Sequence, residues 1–112
     1  MQARSDFHAD QSDIQEMVFR IVAATHPEKV ILFGSYARGT EGPDSDVDLL
    51  VIASHDTQSR RAELRKIWHA LSGIMVPKDV LVYNREDVKK WQDTPNHVIS
   101  IALKEGKILY EQ

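Results

Sequence analysis

The chain has 112 residues, 42% hydrophobic and 28% charged, with a formal net charge of −3 and no cysteine. That length suits one domain, and the missing cysteine excludes a disulfide framework and a thiolate site. The weak negative charge gives no global attraction to nucleic acid or anionic membrane, and no run approaches the roughly 20 apolar residues of a membrane span.

Residues 1–11 are polar and read as a flexible N-terminal tail, with the domain in 12–112. The start, Met1 to Asp6, lacks the apolar core of a signal peptide, so the expected location is the cytoplasm. Ser12 and Gln15 have the spacing of a capping box, and Ile14, Met17, Val18, Ile21 and Val22 follow at helical spacing. This predicts an amphipathic helix ending near Thr25, before Pro27. Val30 to Phe33 is a short buried strand by length and β-branching. Ser35 to Gly39 is expected to form a short helical turn, and Thr40 to Ser45 a loop.

A second strand runs from about Asp46 to Ala53. A helix then extends from near Thr57 to Leu71, with Leu64, Ile67, Trp68 and Leu71 on one face, and Ser72-Gly73 stops it. Asp79 to Tyr83 is the third strand, and Asn84 caps a short helix reaching Trp91. Thr94-Pro95 is expected to open another helix, with proline at the first helical position. Gly106 ends it, and Lys107 to Tyr110 can form a last strand. Alternating helices and strands place the chain in the α/β or α+β class, with helices packed on a sheet of three or four strands. Alternation alone suggests parallel strands; strand direction stays open.

The chemistry concentrates around two short elements. Residues two apart on a strand share a face, so Asp46 and Asp48 are expected to be co-facial, with Leu50 and Ile52 continuing that face as an apolar line. Two close carboxylates repel each other unless a cation compensates, and oxygen ligands suit Mg²⁺. Taken alone, Asp-x-Asp is more often a solvated strand start. Asp79 begins the next strand and can join the pair if the two strands are neighbours; otherwise Lys78 balances it. Asp44, Asp87 and Asp93 sit in loop or cap contexts.

Ten residues, Tyr36 to Ser45, separate Asp46 from an upstream Gly34-Ser35. Gly34 permits a tight bend and close backbone approach. Ser35, at a helix start, can offer its hydroxyl and backbone N–H to a phosphate, or act only as an N-cap. Arg38 can reach a triphosphate, or pair with Glu41 or Asp44. No Walker lysine pattern and no G-x-G-x-x-G is present.

Together, Gly34-Ser35, ten residues, and Asp46-x-Asp48 resemble the signature of the nucleotidyltransferase superfamily, whose members share a catalytic core with DNA polymerase beta. The stretches Leu32 to Thr40, Ser45 to Val51 and Leu103 to Glu111 are similar to its minimal branch, small proteins that include antitoxins paired with HEPN-domain toxins. The resemblance implies a mixed sheet flanked by helices and two Mg²⁺ ions held by Asp46, Asp48 and Asp79. It assigns Gly34 and Ser35 to nucleotide phosphates. It further implies transfer of AMP from ATP to a hydroxyl, for the antitoxins a tyrosine of the partner toxin, as in a type VII-like system.

Two other readings stand beside it. One is an antitoxin that neutralises its toxin by contact alone. The other is a small-molecule nucleotidyltransferase similar to aminoglycoside-modifying enzymes, whose helical substrate domain this chain lacks. The expected partner is a HEPN toxin, with a second copy as an alternative way to complete an open site; neither membrane nor nucleic acid is expected. Arg60, Arg61, Arg65 and Lys66 read as a solvated basic face, and Trp68 and Trp91 as core anchors. The five histidines lack metal-ligand spacing, and Asp6-x-His8-x-Asp10 reads as incidental.

Overall fold

The computed structural model describes residues 9–54 and 59–112. The first helix, α1 (Gln11–Thr25), starts one residue before the expected Ser12 cap. Its N-cap is Asp10, whose carboxylate accepts from the Asp13 backbone N–H at 2.9 Å while the Asp13 carboxylate accepts from the Asp10 N–H. Asp10 and Asp13 therefore form the capping box in place of Ser12 and Gln15, and the Ser12 hydroxyl donates to Asp10 instead. Two acids at a helix N-terminus also complement its dipole, which a serine–glutamine pair does not. Ala9 is buried and its N–H donates to the Tyr36 hydroxyl, so the packed structure reaches at least to that residue. Asp10→Ala should cost about 1 kcal/mol of stability, read as a lower midpoint in urea with an unchanged slope.

Strand β1 (Lys29–Phe33), the single-turn helix α2 (Ser35–Arg38) and strand β2 (Val47–Ile52) follow. Helix α3 (Arg60–Ala70) is capped by the Ser59 hydroxyl; the expected start near Thr57 lies outside the described residues. Strand β3 (Lys78–Tyr83) leads to α4 (Arg85–Trp91), capped by Asn84 as expected with Asp87 completing the box. Helix α5 (Val98–Glu105) opens at His97, not at Thr94-Pro95, because the His97 ring Nδ1 accepts the Ile99 N–H while residues 92–96 form turns and a bend. Gly106 ends α5 and strand β4 (Lys107–Glu111) closes the fold.

The four strands lie in the order β3-β2-β1-β4. β2 pairs parallel with β3 across the α3 crossover, while β1 runs antiparallel to both β2 and β4. The sheet is therefore mixed, as the family resemblance implies and unlike the parallel one that alternation alone suggests, because β1 and β2 are joined only by the single-turn α2 and the loop 39–46, with no long crossover helix. Alternating strand residues divide the core. Val30, Leu32, Val47, Leu49, Val51, Val80 and Val82 pack with Met17 and Ile21 of α1 and Ile67 of α3. Ile31, Leu50 and Ile52 pack on the other face with Ala102 of α5 and Val88 of α4. Helices thus cover both faces.

Trp68 departs from its expected role as a core anchor. It is 41% exposed, because Ile67 and Leu71 take the buried stripe of α3, and the Lys78 ammonium lies over its ring. Trp91 stacks on the His97 ring, 4.6 Å between centroids and 6° from parallel, and so links α4 to the turn before α5.

Candidate active site

Gly34 sits between β1 and α2 with φ +76° and ψ −156°, a region that essentially only glycine occupies. Space demands glycine independently: a Cβ there would lie 2.2 Å from Oδ2 of Asp48. The β1–β2 register explains the contact, since Phe33, the residue before Gly34, pairs with Asp48. The Gly34 carbonyl accepts from the N–H groups of Ala37 and Arg38, which folds α2 tightly over the end of the sheet. Ser35 is half-buried as the first residue of α2, and Gly34, not Ser35, occupies the N-cap, with no side-chain cap bond. The plain N-cap role for the Ser35 hydroxyl is therefore excluded.

Asp48 lies on the α4/α5 face of the sheet, in line with the apolar Leu50 and Ile52, as the alternation predicts. In the parallel β2–β3 ladder it stands directly beside Asp79, and neighbouring strands are only about 4.8 Å apart. Asp46 precedes β2 rather than opening it, since the strand begins at Val47. It is still close enough to act on Asp48. The Asp48 carboxyl is pushed above its ordinary value first by burial, then by Asp79 and Asp46, against an opposing pull from Arg38. Fold and register therefore bring the three acids together, with Asp48 at the centre and Asp46 and Asp79 exposed.

Lys78 does not balance Asp79. Its ammonium turns to the carbonyls of Ile74 and Val76, at 2.6 and 3.0 Å, and burial lowers its pKa. Arg38 pairs with neither Glu41 nor Asp44; its guanidinium lies 3.7 Å from Glu105 at the end of α5. Gly106 permits this approach of α5, because a Cβ there would meet Ile31 Cγ2 at 2.5 Å and the Leu32 carbonyl at 2.9 Å. No local sequence signal points to Glu105, since its place is set by the packing of α5 on β1.

This geometry can be set beside known proteins. A family model described as polymerase beta, nucleotidyltransferase matches residues 16–112. The chain belongs to this nucleotidyltransferase family. Solved structures agree on the fold. A protein from Sulfolobus solfataricus assigned as a nucleotidyltransferase superposes with a TM-score of 0.63 at 17% identity, over 90% of this chain and 79% of that one. A toxin–antitoxin crystallised with AMP-PNP gives 0.58 at 20% identity, over 88% and 73%. A mutant of the MntA-HpeT toxin–antitoxin gives 0.59 at 19%, again over 88% and 73%. No curated protein matches the sequence.

For a nucleotidyltransferase the donor set is suitable for a hard divalent cation. All three acids offer oxygen, and the charges of Asp79 and Asp46, which add to burial in raising the Asp48 carboxyl, are ones such an ion relieves. Among the described residues no three acidic or histidine side chains form a group that could hold a metal ion. The basic residues of α3 lie away from this site: Arg61 and Arg65 are exposed, Arg60 covers the Tyr83 ring, and Lys66 pairs with Glu63. No helix among the described residues is long and apolar enough to cross a membrane.

Proposed function

We propose that the chain is a Mg²⁺-dependent nucleotidyltransferase that moves AMP from ATP to a tyrosine hydroxyl of a partner HEPN toxin, acting as its antitoxin in the cytoplasm. The observation that carries this reading is the closure of Gly34 onto Asp48, with Asp79 in register beside it. It joins a glycine turn at the start of α2 to a cluster of acids at one end of the sheet. Family membership supports the reaction class. The toxin–antitoxin structures, one with AMP-PNP, support the nucleotide and the partner.

In this reading Asp46, Asp48 and Asp79 would hold two Mg²⁺ ions, which when bound offset charge on the attacking and leaving oxygens. Gly34 and the backbone and hydroxyl of Ser35 bind the β- and γ-phosphates at the start of α2, and Arg38 faces them from the same turn. The acceptor oxygen forms a bond to the α-phosphorus as the bond to the bridging oxygen of the β-phosphate breaks. Pyrophosphate leaves, and the hydroxyl proton passes to the Asp79 carboxylate.

The test separates catalysis from neutralisation by contact. Asp46→Ala and Asp48→Ala chains that still form the complex should no longer protect cells expressing the toxin. Full protection by both variants would establish contact neutralisation and sink the catalytic reading.

A further inference from the structure

A cavity of about 770 Å³ lies on the opposite side of the sheet from Asp48, between α1 and the edge strand β4. Val18, Leu32 and Leu109 contribute apolar surface inside it, and Phe19 and Ile108, 70% and 54% exposed, line it too. Large apolar side chains left in water around one groove mark an interaction surface. Addition of an extended strand to β4 is disfavoured, because the β1–β4 register slips at Val30/Ile31 and leaves Leu109 as a bulge on the edge.

The charges identify the occupant. Glu41, from the loop after α2, and Lys107, at the start of β4, both line the groove. Among the described residues neither forms an ion pair. A partner of one charge sign answers only one of them. A second copy answers both, because a two-fold axis sets Glu41 of each copy against Lys107 of the other.

We infer that this groove is a self-complementary docking surface for a second copy of the chain, with each Phe19 entering the groove of its partner. The contact includes Tyr36 of α2 and Glu41 of the loop leading to Asp46, so dimerisation braces the turn that carries Gly34. The inference rests on the groove and not on the proposed chemistry.

Sedimentation of the whole chain, between about 1 and 200 µM, tests it without nucleotide or toxin. The wild-type chain should pass from monomer to dimer, and Phe19→Asp should remain monomeric, with a melting temperature unchanged at the low end of that range, where wild type is monomeric too. Glu41→Lys and Lys107→Glu should each weaken the dimer by about tenfold or more, since each sets like charges together twice. An equimolar mixture of these two variants restores opposite charges at both contacts and should recover dimer at about the wild-type affinity. A wild-type chain monomeric throughout, a dimer indifferent to Phe19→Asp, or a mixture no better than its components would each overturn the inference.

Discussion

Replacing Asp48 with asparagine is expected to abolish nucleotide transfer while making the metal-free fold more stable at neutral pH. The two effects share one cause. Asp48 is held between burial and the charges of Asp79 and Asp46, with Arg38 as the opposing cation, and its carboxyl is raised from its ordinary value. A carboxyl with a raised folded-state pKa binds its proton more tightly in the fold than in the unfolded chain. Its contribution to stability is present below the unfolded-state pKa and is lost as pH rises through the folded one. The ionised wild-type side chain is therefore a cost at neutral pH that asparagine removes, and the gain should vanish in acid, where wild-type Asp48 is already protonated. Melting curves across that range check the sign. Added Mg²⁺ should raise the wild-type melting temperature and leave the variant almost unmoved. Transfer should fall by about 10²-fold or more, the scale for losing a group that stabilises transition-state charge. A variant that melts below wild type at neutral pH would show that Asp48 holds structure instead.

Gly34→Ala is expected to damage both fold and site, unlike Asp48→Asn. The methyl group meets Asp48 Oδ2 at 2.2 Å, and the backbone must leave its glycine-only conformation. Strain at such a position costs about 1–3 kcal/mol, before any displacement of Asp48 is counted. The same substitution at Gly39 is a control: it also has positive φ, but a Cβ there meets nothing within 4 Å. Denaturant melts should place Gly34→Ala well below wild type and below Gly39→Ala. Equal losses would mean that backbone conformation alone sets the need for glycine and that the Asp48 contact is free to relax.

Much of this site was legible in the chain because its parts are local. Gly34-Ser35 and Asp46-x-Asp48 are close in sequence, and period-two alternation places Asp48 with Leu50 and Asp79 with Leu81. The need for strands β2 and β3 to be neighbours was visible as a condition, and the parallel register met it. What sequence could not supply were choices made by tertiary packing. The mixed sheet was implied by the family resemblance and not by the alternation of elements; it follows from the return of β1 against β2 with only the single-turn α2 between them. Trp68 lost its core place to Ile67, and Glu105 reached Arg38 only because Gly106 lets α5 settle on β1. The helix starts missed at Ser12 and Pro95 were lost to stronger local caps, Asp10 with Asp13 and the His97 ring.

The most direct measurement incubates the chain, Mg²⁺ and the purified toxin with ATP labelled either at the α- or at the γ-phosphorus, and follows label on the toxin. Transfer of AMP through a site centred on Asp48 predicts that α-label reaches the toxin, that γ-label leaves as pyrophosphate, and that Asp48→Asn stops both. Label carried from the γ-position, or α-label transferred equally well by Asp48→Asn, would contradict it.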